Sequence, residues 1–239
     1  MTAEIYLNMQ KTAYDKMAGK WQLNKKDPVV GSYDKHNNWK DYDLFLFKDI
    51  DTSDKVALEY GAGPGRNIVH MNNKFARIDG CDISQVNKDK AILNANHNGI
   101  NKDFKYYVCD GKSIPCEDNL YDIVFSVICL QHICVHEIRN SIMEDIYRVL
   151  KPGGHFCWQM GYGGKPPVTN KKRPYYWCEW YDNIYDATST NSGYDVSILD
   201  ENEVKDDILK IGFKSFDFDI RPTGPGDNHK NWIFMRAQK

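Results

Sequence analysis

The sequence predicts an α/β architecture, a doubly wound and mostly parallel sheet with helices on both faces, and three observations predict it. Short apolar runs alternate with stretches of helical period along most of the 239 residues. The first such run, Val56-Ala57-Leu58, leads into Glu59-Tyr60-Gly61-Ala62-Gly63-Pro64-Gly65, three alternating glycines where a strand gives way to a helix. The run from Asp122 to Val127 is nearly all apolar, as a central strand buried on both faces must be.

Residues 1 to 21 read as an amphipathic helix, with Ile5, Met9, Ala13 and Met17 roughly four apart and an end near Gly19 and Trp21. Residues 22 to 37, with Asp27-Pro28 and Gly31, read as a loop in which His36 is a surface residue. A helix from about Trp39 to Phe47 delivers the chain to the first strand, and the helix opening at Arg66 has Ile68, Val69 and Met71 as its apolar positions. The second strand covers Ala76 to Asp82. Ser84 caps the next helix, whose inner face is expected to carry Val86, Ala91, Ile92 and Ala95 before Gly99 stops it.

A third strand, Phe104 to Cys109, alternates weakly and is followed by the loop around Ser113-Ile114-Pro115. After the fourth strand a helix spans 135 to 150, with Ile138, Ile142, Ile146 and Leu150 at helical spacing. Pro152-Gly153-Gly154 then turns the chain into a strand from Phe156 to Met160. A helix from about Glu201 to Ile211, a strand Ser215 to Ile220, the loop RPTGPGDNHK and a strand Asn231 to Arg236 close the chain.

The length suits one sizeable core, so a single domain over 1 to 239 is expected. It carries an N-terminal helical cap over 1 to 50 and an insertion over 162 to 195 that follows neither period and holds Tyr162, Tyr175, Tyr176, Trp177, Trp180, Tyr181 and Tyr185. Insertions of this kind carry specificity, build a small satellite core, or offer a face to a second subunit. A formal charge of -2 and a pI near 6.4 give no field for gripping nucleic acid, though Lys171-Lys172-Arg173 can hold one anion. No apolar run reaches the roughly 18 residues of a spanning helix, and MTAEIYLNMQK lacks the apolar core of a signal peptide. The expectation is a cytoplasmic protein without a membrane partner, whose oligomeric state the sequence leaves open. Its seven cysteines, irregularly spaced, read as reduced thiols, and those in strand-like apolar runs, such as Cys81, Cys109 and Cys157, as small hydrophobes.

The glycine loop excludes two common ligands. Gly63 is followed three residues later by Arg66, so the G-x-G-x-x-G dinucleotide pattern fails, and the lysine-bearing phosphate loop is missing too. Glu59 before G-x-G-x-G resembles the first motif of the class I S-adenosylmethionine-dependent methyltransferases. RIDGCDIS, with Asp82 placed 21 residues beyond Gly61, FKYYVCDGKSIP, and YDIVFSVICLQHI followed by a helix and RVLKPGGHF continue the resemblance over about residues 55 to 160.

The resemblance implies a seven-stranded sheet with an antiparallel last strand. It also implies an S-adenosylmethionine site of Glu59, Gly61, Ala62, Gly63, Asp82, Ile83, Asp110, Gly111 and Val127, in which Asp82 accepts the ribose hydroxyls and Asp110 holds the adenine edge. In such families the N-terminal helix often lies across the cofactor, which would make Tyr14 and Trp21 its cover; an edge helix that only seals the core is the other reading. The acceptor is expected to be a small molecule with an N- or O-nucleophile. Methyl transfer needs alignment and, for some acceptors, a base; His132 and His229 are the catalytic candidates at the rim. Tyr176, Trp177, Trp180, Arg221 and Asp227 are the candidates for binding the acceptor. The cluster Cys129, His132, Cys134 and His136 fits zinc poorly, because apolar residues alternate with the candidate ligands. A catalytically silent cofactor-binding fold serving as a partner protein is the alternative.

Overall fold

The computed structural model describes residues 3–24, 27, 29–30, 38–100, 103–133, 135–163, 176–177, 196–224 and 229–239. Five strands form the parallel part of its sheet: β1 (Val56–Tyr60), β2 (Arg77–Asp82), β3 (Tyr106–Val108), β4 (Tyr121–Val127) and β5 (Leu150–Tyr162). They lie in the order β3-β2-β1-β4-β5, each parallel to its neighbour. Two short strands, β6 (Tyr176–Trp177) and β7 (Ser197–Ile198), precede β8 (Ser215–Pro222) and β9 (Asn231–Gln238). β9 runs antiparallel to both β5 and β8.

The expected seven strands are thus present, with the last one antiparallel, and two more join them. β5 outruns β4, whose pairing ends at Val127 with Gln159. Ser197 and Ile198 take up the free edge of Gly161 and Tyr162, and Tyr176–Trp177 pairs with that added strand. Backbone groups at the end of a buried strand need partners, and a two-residue strand supplies them.

Strand alternation sends side chains to two cores. On one face Leu58, Val124 and Trp158 pack with Ile138, Ile142 and Ile146 of α5 (His136–Val149) and with Val204 and Ile208 of α6 (Glu201–Ile211). On the other, Ala57, Ile123 and Phe125 meet Ile68 of α3 (Arg66–His70), Ala91 of α4 (Gln85–His97) and the π-helical turn Tyr42–Leu46 that continues α2 (Asn38–Asp41). The isoleucines of α5 are almost wholly buried, so truncating Ile142 to Ala costs about 2–5 kcal/mol. Asp200 caps α6 by accepting from Asn202 N at 2.9 Å, and Glu201 and Glu203 favour the positive end of its dipole.

Two helix faces differ from the expected ones, for one reason. α1 (Ala3–Lys20) buries Tyr6, Gln10 and Ala18 and leaves Ile5 47% exposed. α4 buries Asn87 and Asn94 beside Ala91 and Ala95, while Ile92 is exposed and Val86 half-buried. In both helices the covered face is in part polar, because it lies over hydrogen-bonding groups of loops and not only over an apolar core. No helix among the described residues is long and apolar enough to cross a membrane.

Candidate functional site

β1 ends where the sheet's parallel strands all present their carboxyl ends, and the chain must turn at once toward α3. Gly61 and Gly63 take φ values of +77° and +52°, in the left-handed region where a side chain is strained. The loop is held from beneath: Gly61 N and Ala62 N donate to Cys81 O at 2.8 and 3.0 Å. It is also held from its sides, since Tyr106 Oη donates to Gly63 O at 2.6 Å and Asn94 Nδ2 to Pro64 O at 3.0 Å. The two glycines serve different needs. A Cβ on Gly61 would lie 2.2 Å from Cys129 Sγ, whereas one on Gly63 would meet nothing within 4 Å.

Above this loop lies a cavity of about 370 Å³, within the usual range for small-molecule sites. Glu59, Gly61, Ala62, Gly63, Asp82 and Ile83 line it, with Gly111 and Val127 completing the strand side. His132, at the end of the 3₁₀ turn Leu130–His132, lines it as well. α1 forms the opposite wall through Tyr6, Gln10, Tyr14 and Met17, with Trp21 just beyond its end. The helix is fastened at three points: Gln10 Nε2 donates to His132 O at 3.2 Å, Ser84 Oγ bonds to Asp15, and Lys90 Nζ bonds to Trp21 O.

Two buried carboxylates face the cavity. Asp82, 8% exposed, accepts from Gly63 N at 3.0 Å through Oδ2 and from Ser84 N and Asn87 Nδ2 at 2.9 and 3.0 Å through Oδ1. Burial raises its pKa against these three bonds, which pull it down. They occupy three of the roughly four acceptor positions of a carboxylate, and the remaining one is on Oδ2. Glu59, 2% exposed, accepts from Asn67 Nδ2 at 2.5 Å through Oε1, while Oε2 is buried with no hydrogen-bond partner. Burial is the main cause that pushes its pKa to about 8, with Asn67 and the Arg66 charge acting in the other direction.

Other predicted residues lie elsewhere. The Asp110 carboxylate is exposed and closes its own turn, accepting from Lys112 N at 2.8 Å and Ser113 N at 2.7 Å; the backbone at Gly111 lines the cavity in its place. Arg221 pairs with Asp41 at 2.6 Å and donates to Pro222 O at 2.8 Å, tying the N-terminal segment to β8 and away from the cavity. His229 reaches the expected rim but is 4% exposed and packs behind the 3₁₀ turn, outside the cavity lining. Trp180, Asp227, Cys134 and His36 lie outside the described residues, as does the insertion apart from Tyr162, Gly163 and Tyr176–Trp177. Tyr176 and Trp177 are placed as backbone in β6. Among the described residues no group of three or more His, Cys, Asp or Glu is placed to hold a metal ion.

Sequence reasoning missed the residues that hold the glycine loop and α1. Asn87 and Asn94 fall at helical spacing with Ala91 and Ala95, a polar pair inside an apolar face, and that signal was there to be read. Tyr106 and Gln10 gave no signal, because each acts on a loop distant in sequence.

Comparison with known proteins agrees with this geometry. Residues 58–158 match the family model described as a methyltransferase domain. A ubiquinone/menaquinone biosynthesis C-methyltransferase of Desulfotalea psychrophila is 26% identical over 141 residues, which are 59% of this chain and 53% of that enzyme. Phosphoethanolamine N-methyltransferase 2 of Caenorhabditis elegans is 34% identical over 113 residues, 46% of this chain and 25% of that one. The chain therefore spans about half or less of the length of these relatives. Among solved structures, phosphoethanolamine N-methyltransferase 2 of Haemonchus contortus, in complex with phosphomonomethylethanolamine and S-adenosylhomocysteine, superposes with a TM-score of 0.66 at 18% identity. That match covers 95% of this chain and 60% of that one. A methyltransferase of Methanosarcina mazei gives 0.60 at 18% identity, covering 86% and 98%.

Proposed function

We propose that this chain, which belongs to the class I S-adenosylmethionine-dependent methyltransferases, transfers a methyl group to a small-molecule N- or O-nucleophile. The observation that carries the proposal is that the glycine loop, Asp82 and His132 share one cavity beneath α1. The residues fit S-adenosylmethionine. Gly63 leaves open space above the loop, and the unpartnered Glu59 Oε2 becomes a buried acceptor for the cationic amino-acid end of the molecule once Glu59 gives up its proton. Asp82 Oδ2 holds a ribose hydroxyl, and the backbone at Gly111, packed between Leu7 and Ile83, borders the base.

When bound, S-adenosylmethionine would supply an electrophilic methyl on a sulfonium, which the acceptor's lone pair would take in line as the carbon–sulfur bond breaks and S-adenosylhomocysteine leaves. The chain aligns the acceptor, excludes water and holds any proton released. Tyr6, Tyr14 and Met17 close the cavity from α1, and Tyr14 and Trp21 are its aromatic cover. His132 is the imidazole on the cavity wall and acts as the proton acceptor for nucleophiles that must lose one. Its backbone carbonyl accepts from Gln10, so α1 and the turn that carries His132 are seated together. Tyr176, Trp177, Trp180 and Asp227 remain candidates for the acceptor side.

The test is turnover with a panel of small amines, phenols and carboxylates, reading S-adenosylhomocysteine release. Release with at least one acceptor, reduced at least about tenfold by His132→Ala, supports the reading. Calorimetric binding of S-adenosylmethionine without transfer to any acceptor would instead favour a silent binding protein.

A further inference from the structure

Gln131, one residue before His132, is 1% exposed and is a meeting point of three elements. Its carbonyl accepts from Val196 N at 2.8 Å, just ahead of β7, and its Oε1 accepts from Gly161 N at 3.0 Å, near the end of β5. The second bond fixes the amide's orientation, because only the oxygen can accept from a backbone N–H. The amide nitrogen therefore points the other way, 3.4 Å from His229 Nε2 at the end of the loop between β8 and β9.

That contact fixes the imidazole in turn. An amide nitrogen only donates, so His229 Nε2 must accept and the ring proton sits on Nδ1, 3.3 Å from Ser197 Oγ, to which it donates. Both ring nitrogens are engaged inside the protein, which removes His229 from the catalytic role that sequence position alone gives it. The ring occupies space that exists because residue 161 is glycine: a Cβ there would lie 2.0 Å from Nδ1. Trp232 covers the ring at a centroid distance of 5.3 Å.

We infer that His229 is a positioning residue that acts through Gln131 to fix the 3₁₀ turn carrying His132 to the cavity wall. The inference rests on the role proposed for that turn and goes beyond it. It joins the β8–β9 loop, β7 and the end of β5 to the site as one polar unit, none of whose side chains need touch the substrate.

The test uses the full chain with S-adenosylhomocysteine bound and histidine labelled with nitrogen-15, so it needs no acceptor. Wild-type protein is expected to show His229 with a protonated Nδ1 and a bare Nε2. His229→Ala is expected to move the ring resonances of His132 while leaving S-adenosylhomocysteine affinity within about threefold. His229→Gln, whose side-chain oxygen can stand where Nε2 stood, is expected to return them to their wild-type positions. A proton on Nε2 in the wild type, unmoved His132 resonances in His229→Ala, or no rescue by His229→Gln would each overturn the inference. Because the tautomer is read on unmodified protein, the test stands even if His229→Ala fails to fold. Because no turnover is read, its failure is separable from failure of the methyltransferase reading.

Discussion

The rim over β1 to β3 and the rim over β5 to β9 belong to one sheet, yet they are built in different ways. From β1 to β3 the site is made of backbone turns and of carboxylates at strand ends, and sequence order alone places Gly61, Gly63 and Asp82 together on the cavity. From β5 to β9 the rim is made by packing between elements far apart in the chain. Gln131 joins β5 to the His229 loop, and Arg221 is drawn to Asp41. Local turn chemistry fixes the first half, while side-chain partners decide which way the second half faces.

Gly61→Val should have the largest effect, because it meets Cys129 Sγ and is forced into the left-handed region. Overpacking and strain together should cost about 2–5 kcal/mol, read as a fall in the denaturant midpoint. Gly63→Val faces open space, so its cost to the fold should be only the backbone strain of about 1–2 kcal/mol, with cofactor binding lost. Equal destabilisation by the two would show that the loop does not sit as described.

Glu59 gives the next effect, and it depends on pH. Burial raises its folded pKa from 4.5 to about 8, so between those values the folded protein holds a proton that the unfolded chain has lost. Stability should therefore fall as pH rises from about 4.5 to 8, with a slope on the order of 1 kcal/mol per pH unit from this group. Urea midpoints across that window should show a flatter profile in Glu59→Gln, and an unchanged profile would mean that Glu59 ionises normally.

On the binding side, Asp82→Asn keeps the shape but loses a charged acceptor, and should weaken S-adenosylmethionine by about 1.5–3 kcal/mol in calorimetry. Asp110→Asn should change it by less than about 0.5 kcal/mol, since among the described residues that exposed carboxylate bonds only to its own turn. Smallest of all is Arg221→Ala. Its ion pair with Asp41 is partly exposed, so the variant should lose about 1 kcal/mol of stability or less and keep its turnover. A tenfold loss of turnover in Arg221→Ala would return the β8–β9 loop to the acceptor site.

The same contrast explains what could be read in the sequence. Helix α5, strand β9 and the glycine turn follow from period, apolar runs and glycine spacing, which are local quantities, while the antiparallel direction of β9 is what the family resemblance implied. Topology also placed His229 and Arg221 near the correct rim. What a rim address does not give is direction: Arg221 turns to Asp41 and His229 to Gln131 because those partners, 180 and 98 residues away, supply the complementary charge or hydrogen bond. The covered faces of α1 and α4 were misjudged for a related reason. Hydrophobic period marks a face against an apolar core, and Gln10, Asn87 and Asn94 lie instead against loops that need donors.

The claim on which the rest depends is that the glycine loop, Asp82 and α1 enclose the cofactor. Calorimetric titration of S-adenosylhomocysteine into wild type and Gly63→Val, with melting temperatures measured in parallel, tests it directly. The account predicts one site in the wild type and none in Gly63→Val, whose melting temperature falls only modestly. Undiminished binding by a folded Gly63→Val protein, or no binding by the wild type, would contradict it.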